Sequence, residues 1–255
     1  MKFLFKLSRL IHRALPENMK GIVKPISDRV YRLLNPELRG QRNWYRKYYG
    51  TTNLRQREEL FISLARFMNV NRPYTGYYME FGCHSGTTMK LAWKHFRWLF
   101  DFEYLAFDSF EGLPEIAEID EMSIWSKGRL KTDEIDFRRI VTKSGLPQDK
   151  LQTIKGCYIE SLTDHHAHSL SQKSAAVIYI DCDLYESAVS VLDFARHFLT
   201  TGTIIVFDDW NCFFGDPNRG ERRAFTEFQQ KYPELRFSHI MATPEASVFA
   251  FLGKD

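Results

Sequence analysis

Residues 175–187 read AAVIYIDCDLYES, and this stretch decides the fold. Ala175–Ile180 is a continuous apolar run, which predicts a strand buried on both faces. The run stops at Asp181-Cys182-Asp183, and Glu186–Leu199 follows with helical spacing until Gly202 ends it. A buried strand, a polar turn and a helix form the repeating unit of a parallel sheet. The unit recurs on either side. Upstream, Tyr77–Phe81 reads as a strand leading through Gly82 into a helix over Ser85–Phe100, and Glu103–Phe107 and Leu151–Lys155 read as further strands. Downstream come strand Thr203–Phe207, helix Gly220–Lys231, and strands Arg236–Ile240 and Ser247–Phe251. The prediction is an α/β fold: a doubly wound, mostly parallel, seven-stranded Rossmann-like sheet with helices on both faces, preceded by an N-terminal helical extension. Ligands of such sheets bind at the carboxyl ends of the strands.

The polar residues that matter fall at those ends. The first strand runs out as Glu80-Phe81-Gly82-Cys83-His84-Ser85-Gly86-Thr87-Thr88. Gly82 and Gly86 permit a sharp turn, and the helix that follows offers N–H groups to a ligand. The spacing departs from GxGxxG, which argues against a nicotinamide dinucleotide. The second strand ends at Asp108-Ser109, where an acid suits the ribose hydroxyls of an adenosine-type cofactor. The fourth and fifth strands end in Asp181-Cys182-Asp183 and Asp208-Asp209. Like charges gathered there repel unless a cation or a shared proton intervenes, and all-oxygen ligation suits Mg²⁺ or Mn²⁺. Salt bridges to Arg219, Arg222 and Arg223 are the competing explanation.

The strings EFGCHSGTTM (80–89), FDSFEGLPE (107–115), IYIDCDLYES (178–187), FDDWN (207–211) and GERRAFTEF (220–228) together resemble the macrocin O-methyltransferase family. This is a branch of the class I S-adenosylmethionine-dependent methyltransferases, and the resemblance covers about residues 76–251. It implies methylation of a hydroxyl on a sugar, a glycosylated natural product or a surface glycan, with Mg²⁺ assisting. It implies that Glu80, Gly82, Gly86 and Thr87 surround the amino-acid end of the cofactor. Asp108 and Ser109 would hold the ribose, Asp181, Asp208 and Asp209 the metal, and Asp183 would be the general base. Cys182 departs from the glycine often found there, and Ser161-Leu162-Thr163-Asp164 lacks an expected proline. A glycosyltransferase using Asp181-x-Asp183 for Mn²⁺ and a diphosphate is the alternative enzyme, although it leaves Asp108 and Asp208-Asp209 without a role. A non-catalytic membrane scaffold is a third reading, and it has no need of the carboxylates.

The long connection from Ser109 to Lys150, with Trp125, Gly128 and Arg129, reads as an acceptor-binding segment or an extended crossover. The run His165-His166-Ala167-His168 reads as solvated loop. Cys83, Cys182 and Cys212 lie near the proposed site without a base beside them, so a nucleophilic thiol is not expected.

Charge divides the chain. It carries 35 Lys+Arg and 32 Asp+Glu, a formal +3, too mild for nucleic-acid binding. Residues 1–34 hold eight basic residues against Glu17 and Asp28, so the remainder is slightly acidic. Phe3, Leu4, Leu7, Leu10, Ile11, Ala14 and Leu15 share one helical face opposite Lys2, Lys6, Arg9 and Arg13. Such a helix lies on an anionic membrane surface, or docks on the body or on a second subunit of a homo-oligomer. A second basic helix is expected over 26–34. Residues 37–50, rich in aromatics and Arg, read as a half-buried connector before a helix over 53–70. The domain plan is therefore an arm over 1–34, a helical connector over 35–75 and a methyltransferase domain over 76–255. No stretch of about 18 apolar residues suggests a membrane span, and four cysteines without CxxC spacing suit a reducing cytoplasm. The expected location is cytoplasmic, peripheral on the inner face of the membrane if the arm binds lipid.

Overall fold

The computed structural model describes residues 36–122, 125–170 and 172–255. The amphipathic arm and the helix expected over 26–34 lie outside the described residues. The chain divides into two compact units, Met1–Arg57 and Glu58–Asp255. In the first, α1 (Pro36–Trp44) continues into a wider helical turn, Tyr45–Gly50. The expected half-burial is not found there. Trp44, Tyr45, Tyr48 and Tyr49 are all exposed, and they pair along the helix at spacing i, i+4, with ring centroids 6.2 Å (Trp44–Tyr48) and 4.9 Å (Tyr45–Tyr49) apart.

Helix α2 (Thr51–Val70) runs from the first unit into the second. The second unit begins at Glu58 rather than at residue 76 because Leu60, Phe61, Leu64 and Met68 are buried in its core. The unit then alternates β1 (Gly76–Phe81), α3 (Thr87–Phe96), β2 (Phe102–Asp108), α4 (Glu134–Lys143), β3 (Leu151–Lys155), α5 (Tyr158–Ser161), α6 (Asp164–Leu170), β4 (Ala175–Ile180), α7 (Tyr185–Ala195), β5 (Ile204–Phe207), α8 (Gly220–Lys231), β6 (Leu235–Ala242) and β7 (Ser247–Lys254).

The seven strands form one sheet in the order β3-β2-β1-β4-β5-β7-β6. The β3–β2, β2–β1, β1–β4 and β4–β5 pairs are parallel, and β7 runs antiparallel between β5 and β6. Winding proceeds outward from β1 to β3, then returns to place β4 on the other side of β1. That reversal is a switch point, where the two connections leave in opposite directions and open a crevice.

Alternation along the strands sorts the core into two layers. Tyr78, Tyr104, Tyr179 and Val206 face α2, α3 and α4; Met79, Phe81, Ile178, Ile180 and Phe207 face α6, α7 and α8. Phe61 of α2 stacks on Tyr179 at 5.5 Å, a contact of about 0.5–1.5 kcal/mol beyond its area burial. Among the described residues, no helix is long and apolar enough to cross a membrane.

Candidate active site

Register brings the acidic strand ends to one level. Phe81 lies opposite both Phe107 and Ile180, and Ile180 lies opposite Phe207. The residues that follow, Gly82, Asp108, Asp181 and Asp208, therefore emerge side by side around the switch point. Backbone bonds carry the ladder one step further: the N–H groups of Gly82, Asp181 and Asp208 donate to Phe107, Phe81 and Ile180, at 3.0, 2.9 and 2.9 Å.

The glycine turn is fixed from within. Gly82 has φ +86°, and a Cβ there would lie 1.7 Å from the Asp181 carbonyl oxygen. Gly86 has φ +66°, and a Cβ would lie 2.5 Å from Val141 and 3.1 Å from Phe137 of α4. Both glycines thus meet packing demands of the chain itself. Glu80 is also placed differently from the expectation. It is fully buried beneath the turn, accepting from the Tyr78 hydroxyl (2.6 Å) and from the Thr88 hydroxyl (2.7 Å). It therefore braces the start of α3 from below. Asp108 stands at the cleft and accepts three backbone N–H groups: Cys83 (2.7 Å) and His84 (3.0 Å) on Oδ2, and Phe110 (2.7 Å) on Oδ1. Ser109 donates to the Gly112 carbonyl and accepts from the Glu111 amide, and Thr87 pairs with the Ser85 hydroxyl. No side chain caps α3 at Gly86, which leaves its start suited to an anionic group.

Across the switch point, carboxylate oxygens of Asp181, Asp208 and Asp209 all lie within 4.8 Å of one another. Asp208 is buried and accepts from the hydroxyl of Tyr179, whose ring is in the core. The three residues match the set expected from sequence, and an all-oxygen donor set of this size fits Mg²⁺ or Mn²⁺. A further observation supports the fit. Glu221, at the start of α8, is buried; its Oε2 accepts the Asp209 N–H at 3.0 Å, while its Oε1 has no hydrogen-bond partner. Burial, and then the charges of Asp209, Asp181 and Asp208, push its carboxyl well above the usual carboxylate range. A nearby divalent cation would offset that repulsion.

The arginines put forward as the competing explanation make other contacts. Arg219 donates to Ile119 and Glu121 carbonyls, Arg222 to the Gly215 carbonyl and Asn211, and Arg223 to Glu227. Asp183 sits in a tight turn with φ +61°, spanned by the Leu184 N–H bond to the Cys182 carbonyl. A non-glycine residue in that region is strained by about 1–3 kcal/mol. The Asp183 N–H donates to Asp209 Oδ2 at 3.2 Å, which ties the expected base to the expected metal ligands.

Two acids escaped the sequence reading. Glu221 carried a signal, since it opens α8 within the GERRAFTEF string, but nothing marked it as buried. Asp120 carried none, because it lies in the aperiodic connection after β2; in the structure it is buried, and burial raises its carboxyl above the usual range. The histidines make local contacts: His166 with the Ser161 carbonyl, His168 with the Asp164 carbonyl, and His197 with the Asp164 carboxylate. All four cysteines are free. Burial drives the Cys83, Cys182 and Cys212 thiols upward, which keeps them protonated and poorly nucleophilic.

The sheet order and the glycine turn at the switch point define an α/β fold of the Rossmann-like class, whose ligands bind at the strand ends. The macrocin-O-methyltransferase (TylF) family model matches residues 74–233, and the chain belongs to that family. It is an O-methyltransferase. The glycosyltransferase and scaffold readings are thereby set aside. Solved structures share the fold. The O-methyltransferase NovP is 19% identical, with TM-score 0.61 over 77% of this chain and 80% of that one. CalS11, a calicheamicin methyltransferase, is 18% identical with TM-score 0.59 over 86% and 87%; its apo structure, described as a TDP-rhamnose 3'-O-methyltransferase, superimposes with TM-score 0.52. An O-methyltransferase from Bacillus cereus in complex with SAH is 12% identical, with TM-score 0.50 over 76% and 80%. No curated protein matches the chain in sequence.

Proposed function

We propose that the chain transfers a methyl group from S-adenosylmethionine to a hydroxyl of a sugar, carried on a natural product, a nucleotide or a surface glycan, with help from Mg²⁺ or Mn²⁺. The observation that carries this reading is the trio Asp181, Asp208 and Asp209, gathered within 4.8 Å beside the glycine turn. The description of CalS11 as acting on TDP-rhamnose supports a sugar acceptor.

Asp181, Asp208 and Asp209 would hold the cation, which when bound lowers the pKa of an acceptor hydroxyl. S-adenosylmethionine supplies a methyl on a sulfonium, already activated toward a nucleophile. The chain's own work is alignment and proton handling. The uncapped start of α3 would receive the carboxylate end of the cofactor, and Asp108, which already accepts three amide bonds, would receive the ribose hydroxyls on its remaining lone pairs. Asp183 receives the proton of the acceptor hydroxyl. Its strained turn and its amide bond to Asp209 fix it beside the carboxylate trio.

Cytoplasmic placement and peripheral contact of residues 1–34 with anionic lipid belong to the same reading, supported by the four free cysteines and by the charge division. The test of function is calorimetry with S-adenosylmethionine, followed by labelled-methyl transfer to a panel of sugar nucleotides including TDP-rhamnose, with and without a chelator. Donor binding with chelator-sensitive transfer is expected. Absence of donor binding, or full transfer in chelator, overturns the respective half.

A further inference from the structure

The connection after β2 makes few regular elements, yet it carries a buried carboxylate. Asp120 ends a single 3-10 turn, Glu118–Asp120, and is 1% exposed. A buried acid is costly unless hydrogen-bonded, and both oxygens of Asp120 accept the N–H of Tyr185, each at 3.0 Å. This is the first amide of α7, whose own cap position is Leu184, a side chain unable to accept a hydrogen bond. Asp120 thus caps α7 from a distant part of the chain, where a negative charge also complements the helix dipole.

The turn is gripped a second time. Arg219 donates through Nε and Nη2 to the Ile119 carbonyl, at 3.0 and 2.8 Å, and through Nη2 to the Glu121 carbonyl at 3.2 Å. Arg219 is itself the N-cap residue immediately before α8. One short turn is therefore fastened to the starts of α7 and α8, the helices that follow β4 and β5. Further along, the same connection returns to the glycine turn, where His84 Nδ1 bonds with the Leu130 carbonyl (2.7 Å) and with the Thr132 hydroxyl (3.2 Å). The connection spans the switch point from the β1 side to the β4 and β5 side.

We infer that Asp120 is a positioning residue for methyl transfer, holding this connection across the cleft and fixing the turn that presents Asp183. The inference rests on the function proposed above for the assignment of Asp183, and the pinning itself rests on hydrogen bonds alone. Loss of the Asp120 carboxylate frees the first amide of α7, that of Tyr185, two residues beyond Asp183, and loosens the connection at the same time.

The test compares Asp120→Ala, Asp120→Asn and Arg219→Lys in the full chain. Asp120→Asn keeps an oxygen for the Tyr185 amide, and Arg219→Lys serves if Asp120→Ala does not fold. Hydrogen exchange is followed in a peptide spanning 181–190, and trypsin cleavage at Lys127, Arg129 and Lys131. Asp120→Ala is expected to accelerate both at least tenfold, and Arg219→Lys the cleavage. Asp120→Asn should recover most of the protection, and the Kd for S-adenosylmethionine should stay within twofold throughout. With any sugar nucleotide that the wild-type chain methylates, kcat should fall at least tenfold in Asp120→Ala with the donor KM unchanged. Wild-type exchange and cleavage in Asp120→Ala, or in Arg219→Lys where that variant stands in, or a wild-type kcat, overturns the inference. Failure of the wild-type chain to bind S-adenosylmethionine would instead strike the proposed function and leave the exchange and cleavage results standing.

Discussion

The backbone N–H of Asp209 donates to Oε2 of Glu221 at 3.0 Å, so the second aspartate after β5 is held by a buried carboxylate from α8 whose other oxygen has no hydrogen-bond partner. The arrangement repels itself in the absence of positive charge. Folding raises the Glu221 carboxyl above its ordinary 4.5, so its contribution to stability is full below about pH 4.5 and is lost as pH rises through the folded value. The chain in chelator should therefore lose stability as pH rises above about 4.5, and Glu221→Gln should flatten that slope. Urea melts at a series of pH values test this; identical slopes in the two proteins would refute it. The same variant should bind Mn²⁺ roughly 10–100-fold more weakly, the usual cost of losing a group behind a metal ligand.

Asp208→Asn removes a charge from the carboxylate trio but leaves the glycine turn and Asp108 untouched. Calorimetry should find S-adenosylmethionine binding within twofold of wild type. Divalent-cation binding and cation-dependent transfer should both be lost. Wild-type transfer rates in this variant would show that the trio has no catalytic part.

Gly86→Ala faces two costs, a positive φ worth about 1–2 kcal/mol and a collision with Val141 of about 1–3 kcal/mol. The sum is a destabilisation of roughly 2–5 kcal/mol, readable by urea denaturation. Because Val141 Cγ1 is the nearest obstacle, Val141→Ala should be far less harmful in the Gly86→Ala background than in the wild type. Simple additivity of the two changes would mean that the glycine serves something other than α4.

Thiol reagents should discriminate among the cysteines. Cys157 is exposed, whereas Cys83 and Cys182 are buried and Cys212 is partly so, with the last three thiols held in the protonated form. Iodoacetamide at pH 8 should label Cys157 first, and mass spectrometry should find the others unmodified until the fold is denatured. Rapid labelling of Cys182 in the native protein would contradict the burial argument.

Much of the fold is legible in the sequence because its strands are buried on both faces and its turns carry polar punctuation. Ala175–Ile180 and Leu151–Lys155 are found where their residues place them, and the others shift by a residue or a few. The trio Asp181, Asp208 and Asp209 is legible for a related reason: parallel register converts a shared position at strand ends into proximity. Glu80 shows the limit. Its place at a strand end suggests the cleft, but alternation turns its side chain toward Tyr78 and Thr88. Asp120 shows a deeper limit, because its partner amides belong to α7 and no local pattern anticipates that meeting. The exposure of Trp44, Tyr45, Tyr48 and Tyr49 likewise depends on what packs nearby, which spacing alone does not specify.

The pairing of β1 with β4 also bears on how the enzyme comes into being. These two central strands close over everything between residues 81 and 175, and the strands that flank them are joined by far shorter paths. Long closures are the entropically slow step of chain assembly. During synthesis, a nascent chain can complete the glycine turn and β2 well before β4 leaves the ribosome. The cleft itself has no second wall until Asp181 has been made and docked. The carboxylate side of the cleft therefore arrives last, when the middle of the sheet is sealed, after the residues proposed for the donor have already been made.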